Sequence, residues 1–191
     1  MKEYLESYSN LAYNLIGFAG LVPPFVDMHG ITFCMLMQAM GVASFTYHWY
    51  KTKPMYLFDW WAMMYVVTIM AAHVVNTPLC WFAVFLYQVA YGFFLMGRFP
   101  DLSIKGKRVP AVYLEIGLVI VPCLVAIWIK RGFMDFAVLF GLILVALYIR
   151  SKDPDPTQSR FHDSIEHSIW HVLTAPVFFI GWFGIENILN V

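Results

Sequence analysis

Seven apolar runs, each close to the length of a bilayer crossing, constrain this 191-residue chain more than any other feature in it. The hydrocarbon core of a membrane takes about 20 apolar residues per helix, within a range of roughly 17–25. The runs cover Ser9–Phe25, Gly30–Tyr50, Met55–Val75, Pro78–Met96, Val109–Ile129, Met134–Ile149 and Phe161–Leu189. Polar linkers separate them, among them KTKP, NTP, GRFPDLSIKGKR, KRG and RSKDPDPTQSR, and proline and glycine punctuate these as helix ends require. The linkers leave no room for a second domain and no segment repeats, so residues 1–191 read as one domain. The expected fold class is all-α: a polytopic membrane protein forming a seven-transmembrane helix bundle.

Composition agrees with that expectation. The chain is 61% hydrophobic and 13% charged, whereas soluble domains are about half apolar and about a quarter charged. A net charge of zero gives no electrostatic footprint for nucleic acid. Cys34, Cys80 and Cys123 lie inside apolar runs without CxxC pairing, so they read as small core residues. The N-terminus, MKEYLESYSN, lacks the basic segment and short apolar core of a cleaved signal peptide.

Lysine and arginine set the orientation. With seven spans, the N-terminus and the loops after the second, fourth and sixth runs share a side. That side carries Lys2, Lys51, Lys53, Arg98, Lys105, Lys107, Arg108, Arg150, Lys152 and Arg160, and the other only Lys130 and Arg131. The bias predicts a cytoplasmic N-terminus and a C-terminus outside.

Ionisable groups at membrane depth are costly and mark function. Ser44 and His48, four apart near the end of the second run, share one helical face. Asp59 opens the third run, and His167 and His171, again four apart, open the seventh. The second run points toward the cytoplasm while the third and seventh point away, so all five residues fall in the cytoplasmic half. Three histidines with one open position form a common catalytic zinc shell. Here His48, His167 and His171 are the candidate ligands, with Asp59 and Ser44 beside them. Zinc polarises carbonyls and brings the pKa of bound water to about 7. A carboxylate within reach then serves as proton acceptor.

The pattern SxxxH, an aspartate eleven residues after that histidine, and HxxxH in the last run resembles the CREST superfamily of seven-helix membrane hydrolases. That superfamily includes the alkaline ceramidases, the PAQR receptors and the lipid-remodelling proteins of GPI anchors. The wording HSIWHVLTA is most similar to the ceramidases and the GPI remodellers. The resemblance covers the whole seven-run layout, with specific motifs in about three short patches. It implies zinc on His48, His167 and His171, with Ser44 and Asp59 next to the metal. It also implies hydrolysis of an amide or ester in a membrane lipid, ceramide or a related acyl lipid. The chain departs from the ceramidases at its N-terminus. Where they carry an acidic, tryptophan-containing calcium-binding segment, it offers only Glu3 and Glu6 before SYSN, which argues against a calcium site.

Two other classes compete. A non-enzymatic receptor or fusion-type scaffold would use zinc only to staple helices, and would have little use for Ser44 and Asp59. A proton-coupled transporter calls for broken helices or an inverted repeat, and neither is visible. Of the remaining polar residues, Glu115 suits either the lining of a substrate cavity or proton path or a hydrogen bond to a neighbouring helix. Asp163 and Glu166 read as first-turn acids with His162 beside them, and Asp135 as a cap of its own helix. His29 and His73 lie toward the opposite side and receive no catalytic role. The methionine and aromatic stretches FCMLMQAM and WWAMMYVV suit helix packing, lipid contact or an acyl-chain tunnel.

Overall fold

A computed structural model describes residues 5–50, 52–97, 109–150, 152 and 165–189. The described residues contain α-helices and turns and no strand. In chain order the helices are α1 (Leu5–Ser9), α2 (Leu11–Ala19), α3 (Met28–Tyr50), α4 (Lys53–Val75), α5 (Pro78–Gly97), α6 (Val109–Arg131), α7 (Phe133–Arg150), α8 (Ile165–Phe183) and α9 (Ile185–Leu189). Helices α3 to α7 match the second to sixth apolar runs, because each run ends in proline, glycine or polar residues that stop a helix. Among the described residues, two stretches, Met28–Tyr50 and Phe58–Val75, are long and apolar enough to cross a membrane, while Pro78–Gly92 and Phe133–Ile149 are apolar but shorter.

The two outer runs differ from expectation. The first, which the sequence predicts as one span, folds as α2 alone, preceded by the short α1 and followed by turns over residues 20–27. With nine residues, α2 is about 14 Å long at 1.5 Å per residue, less than half of the roughly 30 Å hydrocarbon core. Its C-cap is Gly20, and Pro23-Pro24 follows, so the chain cannot continue the helix. The seventh run divides at Gly184, whose φ of +82° leaves right-handed helical space. Asp135, buried in the first turn of α7, accepts the N–H of Ile185 at 3.0 Å. It therefore serves the start of α9 rather than its own helix. Arg131 closes the same junction by donating to the carbonyls of Gly181 and Trp182.

Helix α3 packs between α2 and α4, α4 also meets α5 and α6, and α8 lies against α7, α2 and α1. The main core joins α2, α3, α4 and α8 through Tyr13, Phe33, Met37, Met40, Met64 and Phe178. A smaller one joins α6, α7 and α8 through Leu124, Ile127, Leu139 and Val177. Cys34 and Cys123 are core residues as expected, whereas Cys80 is only partly covered. A buried polar link ties α4 to α5: Gln88 donates to Thr68 Oγ1 at 2.5 Å, and Thr68 donates to the Met64 carbonyl at 2.9 Å.

Backbone approaches closely at Gly30, where the first turn of α3 meets the turns that follow α2. A Cβ there would collide with the carbonyl oxygens of Phe25 and Gly20, both rigid backbone atoms. Gly30→Ala is expected to cost about 1–3 kcal/mol, the usual range for overpacking. Thermal unfolding in detergent should show the midpoint falling by roughly 2–4 °C per kcal/mol.

Candidate metal centre

The site forms where the C-terminal turn of α3 meets the N-terminal turns of α4 and α8. His48 is in the last turn of α3, and His167 and His171 are in the first two turns of α8. Their ring centroids lie 4.8 Å (His48–His167), 5.0 Å (His48–His171) and 4.7 Å (His167–His171) apart. One nitrogen from each falls within 4.8 Å of the others. Among the described residues this is the one group of three or more histidine, cysteine, aspartate or glutamate side chains able to hold a metal ion. His48 and His171 are buried and His167 is partly so.

The spacing explains the convergence. Positions 167 and 171 are four apart, so both imidazoles leave α8 on one face, one turn apart. Ser44 and His48 do the same on α3, and both are buried. Across the α3–α4 contact, the Ser44 hydroxyl donates a hydrogen bond to the Asp59 carboxylate, and His48 lies within electrostatic reach of that carboxylate. The structure thus brings together all five residues singled out in the sequence. It places Ser44 on Asp59, where the serine orients the carboxylate.

Two further residues support the cluster, and sequence reasoning missed both. Ser9 Oγ, at the end of α1, hydrogen-bonds His171 Nδ1 at 2.9 Å. In the tautomer with its proton on Nδ1, the ring donates to the serine and Nε2 keeps its lone pair. Such partners orient metal-ligating imidazoles. Tyr13 of α2 packs its ring 5.7 Å from that of His171, and its hydroxyl bonds Thr174 Oγ1 at 2.7 Å. Thr174 spends its own proton on the Trp170 carbonyl, so Tyr13 is the donor. The polar SYSN segment at the start of the first run was a signal for Ser9, and nothing local marked Tyr13.

The donor set therefore fits a metal: three imidazoles on two helices, one with its outer nitrogen already fixed. If Ser9 sets the tautomer, Ser9→Ala should weaken metal affinity about 10–100-fold, the usual cost of losing such a partner. Competition with a chromophoric chelator measures it, and an unchanged affinity would remove Ser9 from the site.

An apolar cavity of about 70 Å³ lies between α4, α6, α7 and α8, and none of the five site residues lines it. Trp170 and Thr174 line it, flanking His171 along α8, together with Met63, Met64, Cys123 and Phe178. Methionines of WWAMMYVV thus shape a cavity, whereas Met37 and Met40 of FCMLMQAM pack the core and Met35 is exposed. His162 and Asp163 lie outside the described residues, and the side chains of Glu115 and Glu166 are likewise outside what is described. No family model, curated protein or solved structure matches the chain.

Proposed function

We propose that this chain is a seven-span membrane hydrolase of lipids that uses zinc at the three-histidine cluster and cleaves a ceramide-like amide or an ester. The observation that carries the reading is the convergence of His48, His167 and His171 with the hydrogen-bonded pair Ser44 and Asp59. A cluster that only stapled helices would gain nothing from a carboxylate held beside it.

The periphery supports the membrane part of this reading. Leu15, Met28, Leu79 and Ile129 are 71%, 74%, 77% and 74% exposed, on four different helices. Soluble monomers rarely leave so much apolar surface uncovered. Ten of the twelve lysines and arginines also fall on one side of a seven-span layout. That layout puts the cluster in the cytoplasmic half. Its first crossing would be formed by α1, α2 and the turns after them, whose Phe25 ring packs on Phe179 and Phe183 of α8.

When bound, zinc supplies Lewis acidity toward a carbonyl and toward water. The residues do the rest. His48, His167 and His171 would hold the ion. Asp59 accepts the proton of the attacking water on a carboxylate oxygen and returns it to the leaving amine or alcohol. Ser44 fixes the carboxylate through its hydrogen bond. The cavity lined by Met63, Met64 and Phe178 takes a hydrocarbon segment of the substrate, which enters laterally from the bilayer.

The test is a lipid extract incubated with purified wild-type protein and with His171→Ala, read by mass spectrometry. Release of fatty acid from one lipid class by the wild type alone is the expected result. If no class is cleaved, the hydrolase reading fails.

A further inference from the structure

The opposite end of the bundle carries a second pair of imidazoles. His29 is in the first turn of α3 and His73 in the last turn of α4. His29 and His48 are nineteen positions apart on α3, about 28 Å at 1.5 Å per residue, so the two sites are at opposite ends of the bundle. The ring centroids of His29 and His73 lie 4.8 Å apart, the same spacing as the pairs in the three-histidine cluster, which run from 4.7 to 5.0 Å.

We infer that His29 and His73 form a second metal site, a two-histidine site for a divalent first-row transition ion such as zinc. Several features prepare it. His73 is stacked on Trp182, centroids 4.2 Å apart and planes within 2°. Stacking fixes the ring plane yet leaves both nitrogens free to ligate, because their lone pairs and N–H bonds lie in that plane, at the ring edge. His73 sits in the last turn of α4, where the partial negative charge of a helix C-terminus favours a cation. Asp27, two residues before His29, is fixed by accepting the Gly30 N–H at 2.8 Å, and that bond holds its carboxyl below the usual carboxylate range. The carboxylate is within electrostatic reach of both imidazoles. The neighbouring cation, Arg131, also reaches His73, but its guanidinium is engaged with the Gly181 and Trp182 carbonyls. A bound ion would join the start of α3 to the end of α4 and, through the Trp182 stack, to the end of α8. This site does not depend on the hydrolase reading, since it shares no residue with the three-histidine cluster.

Zinc alone, titrated against a competing chelator into tag-free full-length protein in detergent, tests the site. Wild type is expected to bind a weaker equivalent, with two protein ligands, beside a tighter one. The weaker equivalent should lose at least tenfold in affinity in His29→Ala and in His73→Ala, and should survive in His171→Ala. His29 is exposed, so its replacement leaves the packing intact and carries the test even if His73→Ala disturbs the Trp182 stack. A weaker equivalent unchanged in His29→Ala, or a wild type without one, overturns the inference. Failure of the three-histidine site would appear separately, as a tight equivalent indifferent to His171→Ala.

Discussion

Replacing His167 and His171 together by alanine is expected to take the tightly bound zinc of the dialysed protein from about one per chain to none, and lipid hydrolysis with it. Only His48 would remain of the ligands that converge within 4.8 Å. A single imidazole cannot chelate, and each ligand lost exposes the ion to water and to competing buffer. Elemental analysis after dialysis against a mild chelator reads the result, and the chelator strips any weak site such as that at His29 and His73. Unfolding is the confounding cause, because His171 is buried and bonded to Ser9. Circular dichroism on the same sample separates the two: the helices are held by cores centred on other residues, such as Met37, Met64 and Phe178. Zinc retained at one per chain in a folded double variant would show that the cluster is not the metal site.

The parts of this site that could be read from the sequence were those set by local periodicity. HxxxH and SxxxH each put two side chains on one helical face whatever the rest of the chain does, and the alternating direction of the apolar runs put those faces at one level. Ser9 could not be read this way, since it lies 162 residues from His171 and no local rule links them. The same holds for Asp135. Its position at a helix start suggested a cap, but the N–H it accepts is 50 residues away. Helix ends followed a similar division. Those of α3 to α7 are written in proline, glycine and charge, so the runs and the helices agree closely. The breaks at the two outer runs depend on tertiary contacts. Gly184 adopts a positive φ where Asp135 and Arg131 hold the junction, and α2 ends where Gly20 meets the Gly30 carbonyl and the Phe33 ring.

Asp59→Asn should separate an enzyme from a metal-stapled scaffold. The amide is nearly the same size as the carboxylate and its oxygen still accepts the Ser44 hydroxyl, so packing between α3 and α4 is retained. Zinc content should stay at about one per chain, since none of the three clustered histidines is touched. What the amide cannot do is accept a proton. The loss expected for a general base is about 10²–10⁴-fold in rate, read as kcat for fatty-acid release. Ser44→Ala should do less, because Asp59 keeps its proton-accepting oxygen and loses only the bond that orients it. This order of effects belongs to the proposed chemistry. If the aspartate served only to anchor α4 to α3, Asp59→Asn would leave turnover near wild type, and Ser44→Ala, which breaks the anchoring bond, would be the more damaging of the two. A variant that keeps its zinc and its full rate would remove Asp59 from the reaction and leave the three histidines as a staple between α3 and α8.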